Sequence, residues 1–369
     1  MANASTSYVA ADALAKNVVS IGGLRHQDTF EHTDDRWCPA QPTCPLTACA
    51  SIGPAPYQRV KPDLTHFNDC TYATDNDCNS CYANFGGTSG ATPITCGYFG
   101  LLFQMWHEQV FPGFGGGASV FASRPHMTTA KAMMINTAYR YPLVFPGDFT
   151  RYNQGWGMVD VAALYAARNN MLIINETDLL TVLQTRSYNF TVQSGDPALR
   201  VTLVYADPPG SPCYFQPTLN DLSLKVVSPS GSVYWGNHGL ITANWSSPDP
   251  TPLTRNYGVE WDFTNTVENV FVTTPQTGTW TVTVIADAIN QDGHAETAGE
   301  PWDADYALVV SSAARPKGRC CYDNCDTFER SCSYTTPAAC TGQWYTWFSE
   351  QRCSDPCPHL CPEPNFPAP

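Results

Sequence analysis

The chain has 369 residues, 43% of them hydrophobic, which is enough for two or three domains with apolar cores. Its 33 acidic against 19 basic residues give a net charge of −14, which argues against nucleic acid and anionic membrane surfaces as partners because both would repel it. With only 14% charged residues, 30 prolines and 16 cysteines, it reads as a loop-rich, β-rich chain of an oxidising, secretory or extracellular compartment. No run of 18 or more apolar residues occurs, so no membrane span is expected.

The first 35 residues read as loop, a short Ala-rich helix over 10–16 and a β-branched strand over 17–21. Met1 is followed by no basic and apolar leader, so a secreted chain is expected to have further sequence upstream. Residues 36–85 hold Cys38, Cys44, Cys49, Cys70, Cys78 and Cys81 among Pro, Asp, Asn and Thr. No histidine stands at ligand spacing beside them, so a disulfide-held loop is expected over a zinc site. Cys78-Asn79-Ser80-Cys81 has the spacing of a redox pair but lacks a βαβ context, which favours a structural bridge.

Gly87-Thr88-Ser89-Gly90-Ala91-Thr92-Pro93 then leads into the apolar run 94–106. A helix is predicted from Ser89 to about His107, with Pro93 in its first turn, apolar on nearly every side, and with Gly97 and Gly100 allowing close packing. Small neighbours around Ser89 would admit a substrate backbone, and a helix N-terminus offers unpaired N–H groups to a developing oxyanion, which makes Ser89 the candidate nucleophile. The same residues also make an ordinary turn with a serine cap. A second helix capped by Thr128 or Thr129 is predicted through Ala138, and a third over 159–168 with Asp160 near its start.

Residues 171–185 read as a linker. From 186 to 311 short alternating runs at 188–192, 199–205, 222–227 and 280–285, separated by Pro-Gly and Thr-Gly turns, predict an antiparallel sandwich of about eight strands that folds on its own. Asp207, Asn220, Asp221 and Glu268 are either Asx-type hydrogen-bonding residues or, gathered at one end, oxygen ligands for Ca²⁺. The tail 312–369 carries eight cysteines between Cys320 and Cys361, a segment too short to fold without an expected four disulfides, acting as a binding module or a spacer. Sequons at Asn3, Asn175, Asn189 and Asn244 are compatible with a secretory route.

Gly87-Thr88-Ser89-Gly90-Ala91-Thr92-Pro93 resembles the Gly-Thr-Ser-x-Ala-x-Pro nucleophile motif of the subtilisin-like serine proteases. Three further landmarks stand in the family's order. Lys16 to Gly23 is similar to the strand that precedes the substrate-side loops, Ser51-Ile52-Gly53-Pro54 with Lys61-Pro62-Asp63-Leu64 to the Ser-x-Gly-Pro and Lys-Pro-Asp segments, and Asn153 to Asp160 to the closing Gly-Trp-Gly-x-hydrophobic-Asp. Leu203 to Gly210, Leu219 to Leu224 and Val267-Glu268-Asn269-Val270 resemble the β-sandwich that follows the catalytic domain in larger, kexin-like subtilases.

The resemblance implies an α/β partial peptidase domain over 1–170, an all-β domain over 186–311 and a disulfide-rich module, together a serine endopeptidase acting on protein or peptide with no cofactor required for catalysis. It further implies that Asn3 supplies the side-chain half of the oxyanion hole, although Met1-Ala2 stands where Ala-Gly is expected. Thr65-His66-Phe67-Asn68 departs from the family's x-Ala-Pro-Gly.

In such enzymes the order is Asp, His, Ser, with the histidine roughly 160 residues before the serine. Only 88 residues precede Ser89, so neither partner lies at its family position. His26, His32, His66 and His107 lack the family's flanking residues, and His107 stands about 27 Å down the helix from the serine, so each is expected to be structural. The expectation is therefore the serine-bearing part of a protease that is inactive alone. The alternative is a secreted binding or adhesion protein working through its sandwich and Cys-rich tail.

Overall fold

The computed structural model describes residues 9, 11–29, 35–37, 49–141, 150–210, 218–249, 262–293 and 301–312, together with the backbone of three strands beyond 317. Asn3, His32, Cys38, Cys44 and the cysteine pairing of the tail lie outside the described residues.

A short 3-10 turn at Ala11–Leu14 leads to β1 (Ile21–Leu24), which pairs in parallel with β2 (Leu64–Phe67), Ile21 facing Leu64 and Leu24 facing Phe67. The strand thus starts at the end of the expected run 17–21, because Lys16 and Asn17 are drawn elsewhere. Asn17 donates to the Asp207 carbonyl at 3.0 Å and accepts from its N–H at 3.1 Å, while Lys16 pairs with the Asp207 carboxylate. A hairpin of β3 (Thr71–Thr74) and β4 (Tyr82–Phe85) is closed at its tip by a Cys78–Cys81 disulfide, in line with a structural bridge there.

Four helices follow: α1 (Thr88–His107), α2 (Met127–Thr137), α3 (Arg151–Gln154) and α4 (Val161–Ala167). Asp160 caps α4, accepting the Ala163 N–H at 2.8 Å, as its place in the sequence predicts. Between them, Gly155 and Gly157 at φ 59° and 133° let the chain run against the carbonyls of Asp63 and Tyr139, where a Cβ would lie within 2.5 Å of each oxygen.

The first long helix is not enclosed on every side, contrary to what its apolar sequence leads one to expect. α1 buries only Gly90, Ala91, Thr95, Leu102 and Trp106, one stripe at helical spacing turned to β1 and β2, and leaves Leu101 and Phe103 47% and 38% exposed. Gly97 and Gly100 face open space and mediate no close packing. It is α2 that is enclosed, every residue from Thr128 to Thr137 being buried. Its cap is His126, ahead of both Thr128 and Thr129, with no side-chain cap bond.

Eight strands form two antiparallel sheets. One has the order β10-β7-β12-β5 and the other β6-β11-β8-β9, where β5 is Met171–Thr181, β6 Thr185–Val192, β7 Ala198–Val204 and β8 Asp221–Val227, and β9 is Val233–Trp235, β10 Val267–Thr273, β11 Gly278–Ala288 and β12 Asp303–Ser311. The stretch 171–185, expected as a linker, is strand β5 and the turn after it, and it pairs with β12 from Met171↔Ser311 to Thr181↔Asp303. On β12, Ala304, Tyr306, Leu308 and Val310 face the other sheet, while Ala307 and Val309 face the cluster that also holds Met133, Met134 and Ile135 of α2. Both faces of this strand are covered, which is why it reads as a continuous apolar run instead of an alternating one. Asn136 fixes the seam: it donates to the Arg200 and Val309 carbonyls at 3.1 Å each and accepts from the Ser311 hydroxyl at 2.6 Å. The helical and β-rich parts therefore share one core. A last antiparallel sheet joins β13 (Gly318–Asn324), β14 (Glu329–Thr335) and β15 (Tyr345–Ser349).

Candidate active site

The head of α1 is set by backbone bonds from β2. The Asn68 N–H donates to Leu24 at 2.8 Å, continuing the β1–β2 ladder, and the Asn68 carbonyl accepts the Gly87 N–H at 2.6 Å. Gly87, at φ 87°, is the helix N-cap, and its carbonyl takes the Gly90 and Ala91 N–H groups at 2.8 and 3.3 Å. Only glycine reaches this φ without strain, so Gly87 turns the chain and the helix begins at once. Ser89 is the second helical residue and is exposed. Its hydroxyl and the N–H groups of Thr88 and Ser89 have no hydrogen-bond partner among the described residues, so the dipole end of a 20-residue helix is presented to solvent. Pro93 is the sixth helical residue, beyond the first turn, and so withholds the N–H that would otherwise bind the Ser89 carbonyl.

None of the described histidines joins this serine. His66 sits on β2, its Nδ1 accepting the Phe67 N–H at 2.9 Å and its ring stacked on Tyr98 of α1 with centroids 5.5 Å apart. Burial pushes its pKa down to about 4, so it is neutral at physiological pH. His26 is held by Asp69, whose carboxylate accepts the His26 and Gln27 N–H groups at 3.0 Å each. His107 bonds the Ser123 hydroxyl at 2.7 Å, and His126 pairs with Glu176. Two residues of the stretch Thr65-His66-Phe67-Asn68 thus have packing roles, His66 against α1 and Asn68 filling the space over Gly23, and the next residue, Asp69, caps the turn at His26.

Beneath the strands lies a charge cluster that the sequence signalled only in part. Asp63 of the Lys-Pro-Asp segment is buried and accepts from Lys61 Nζ at 2.6 Å, Lys131 Nζ at 2.7 Å, and the Ser20 N–H and hydroxyl at 2.8 and 3.0 Å. The two lysines hold its carboxyl below the usual carboxylate range against the opposing effect of burial. Lys131 is the component that went unread; its signal is a single lysine inside the otherwise uncharged stretch Met127–Thr137.

Three of the four candidate Ca²⁺ ligands have hydrogen-bond partners within the protein. Asp207 accepts the Leu219 and Asn220 N–H groups and pairs with Lys16; Asn220 accepts from Asn290 and Gln291; Glu268 reaches across to the other sheet, accepting the Leu224 N–H at 2.7 Å. Burial, with Asp262 nearby, raises the Glu268 pKa well above the carboxylate range. Among the described residues no group of three or more His, Cys, Asp or Glu is placed to hold a metal ion, and no helix is long and apolar enough to cross a membrane.

Residues 2–170 match the family described as Subtilase family. A curated relative, the serine protease/ABC transporter B family protein tagA of Dictyostelium discoideum, is 26% identical over 224 residues, covering 53% of this chain but 12% of that protein. Among solved structures, the serine protease of Aeromonas sobria is 14% identical and covers 72% of this chain and 55% of its own, at a TM-score of 0.23. The Bacillus licheniformis lipase BlEst2 in propeptide form is 10% identical and covers 43% and 30%, at 0.18. The chain therefore spans about an eighth of the curated relative and about half of the solved protease. The family match runs over the serine turn and the three landmarks around it, so residues 2–170 are similar to the subtilase family.

Proposed function

We propose that this chain is the serine-bearing, C-terminal part of a secreted subtilisin-like endopeptidase, with Ser89 as the nucleophile. One observation carries the reading: Ser89 stands exposed on the first turn of α1, beside unpaired helix N–H groups, on the Gly-Thr-Ser turn of a subtilase segment. In that chemistry the serine oxygen attacks the scissile carbonyl, an imidazole takes the serine proton and returns it to the leaving amine, and N–H donors stabilise the oxyanion. The Ser89 N–H at the helix head is one such donor, and Asn3 is assigned the side-chain donor. The aspartate and histidine are assigned to polypeptide outside these 369 residues. Without an imidazole the hydroxyl keeps its ordinary, weak nucleophilicity, and the 369-residue chain alone is inactive.

A fluorophosphonate probe tests this. The chain alone is expected to stay unlabelled, while a longer protein that contributes the Asp and His is labelled at Ser89 and loses the label in Ser89→Ala. Labelling of the 369-residue chain would overturn the missing-base argument. An unlabelled longer protein would favour the second reading, a binding or adhesion protein working through its two sheets and Cys-rich tail.

A further inference from the structure

The hairpin β3–β4 ends two residues before Gly87 and belongs to no larger sheet: among the described residues neither strand pairs with a third. One of its faces, carrying Thr71 and Phe85, lies against Gly90 of α1. On the other face Tyr72 and Tyr82 stack with centroids 5.5 Å apart at 20°, yet they are 71% and 55% exposed. Tyrosines in a stack are normally buried or at an interface, since each ring carries a large apolar area. Edge strands are usually blunted by lysine, proline or a covering element. The segment 71–85 contains no Lys, Arg or Pro. The tip adds Asp75 and Asp77, with no ion pair between either and a described lysine or arginine, on a chain of net charge −14. The Cys78–Cys81 bridge closes this acidic tip.

We infer that the β3–β4 hairpin is an exosite that captures an extended, basic polypeptide segment. The free strand edge supplies main-chain hydrogen bonds, the Tyr72–Tyr82 faces receive arginine or lysine side chains by cation–π contact, and Asp75 and Asp77 complement their charge. An acidic segment is repelled by the same tip. Since β4 runs directly into the Ser89 turn, a peptide paired along it is delivered beside the serine. Calling that peptide a substrate rests on the endopeptidase reading, whereas its capture does not depend on Ser89.

Fluorescence anisotropy of the full chain with a short labelled peptide alternating arginine and threonine tests the assignment, against the same peptide with glutamate for arginine. The basic peptide is expected to bind saturably, more weakly as salt rises, and the acidic one not at all. Tyr72→Ala with Tyr82→Ala should weaken binding by roughly tenfold or more. Asp75→Asn with Asp77→Asn should weaken it and flatten the salt dependence, while Ser89→Ala leaves it unchanged. Both tyrosines are mostly exposed, so the melting temperature should hold, and the Asp pair gives a second, independent reading. No binding, equal binding of both peptides, or binding indifferent to both double variants overturns the exosite. So does a concentration-dependent dimer abolished by the tyrosine variants, which would make a second copy the occupant. Loss of peptide capture would leave the fluorophosphonate result untouched, so the two readings fail separately.

Discussion

Replacing Asp63 by Asn tests whether the Lys61–Asp63–Lys131 cluster holds β2 and α2 together. The carboxylate accepts from both lysines at 2.6 and 2.7 Å and from Ser20 twice, with all three charged side chains no more than 4% exposed. An amide keeps the shape but leaves two buried cations with no counter-charge, a loss of about 3–5 kcal/mol out of a total stability of about 5–15. Lys61 adds a pH signature. Its pKa is lowered to about 8, chiefly by burial, below its ordinary value of 10.5. Between these values the unfolded chain holds more protons than the folded one, so stability rises with pH across the window, by about 3 kcal/mol in all. Lys61→Met should abolish that rise while leaving Asp63 paired with Lys131, and so cost little at neutral pH. Urea unfolding from pH 7 to 10.5 measures both. Asp63→Asn losing less than about 1 kcal/mol, or Lys61→Met keeping the alkaline rise, would refute the account.

Three further outcomes are expected. The pKa of His66, about 4 against an ordinary 6.5, means that the unfolded chain takes up a proton first as pH falls. Stability should therefore drop by up to about 3 kcal/mol between pH 6.5 and 4, and His66→Phe, which keeps the stack on Tyr98, should remove that limb from an acid titration. On α1, Leu102→Ala should cost about 2–5 kcal/mol and Leu101→Ala under about 0.5, since Leu102 is fully buried and Leu101 is 47% exposed; equal losses in thermal melts would deny the one-sided packing. The fragment 186–311 should not melt cooperatively, because it lacks β5, the edge partner of β12, and uncovers the strands on which α2 packs; a sharp calorimetric transition would contradict the shared core.

What the sequence disclosed well was local. Strands with strict alternation, such as the run at Trp280 to Ile285, and the cap at Asp160 follow from residue chemistry within a few positions and stand where expected, whereas α1 starts at Thr88 with Gly87 as its cap and not a serine. What it hid was which faces meet. α1 and α2 are both nearly free of charge, so hydropathy cannot rank their burial, and the enclosed helix is the one packed against β7, β12, β5 and α4. The linker at 171–185 was misread for the same reason. Met171 to Thr181 mixes apolar residues with Asn175, Glu176 and Asp178 and gains its strand character only by pairing with β12 some 130 residues later. The turn that carries Ser89 at the head of α1 was legible because its signal is contiguous in the chain. The cluster around Asp63 was legible only as a motif, since Lys131 comes from another helix.

These features bear on one another through the short parallel pair. β1 and β2 are four residues each, too little to be stable as an isolated parallel sheet. They are held at one end by the buried Asp63 and its lysines. Toward the other end Asn68 closes the ladder and receives Gly87, so the position of Ser89 is dictated from the ladder and not by contacts of its own side chain. Because the serine itself carries no described packing or hydrogen bond, substituting it leaves the fold intact, whereas disturbing Asp63 or Asn68 shifts the helix head as a body. The Ser89 turn is thus placed by backbone hydrogen bonds at the end of the sheet, with Leu101 and Phe103 exposed further along α1.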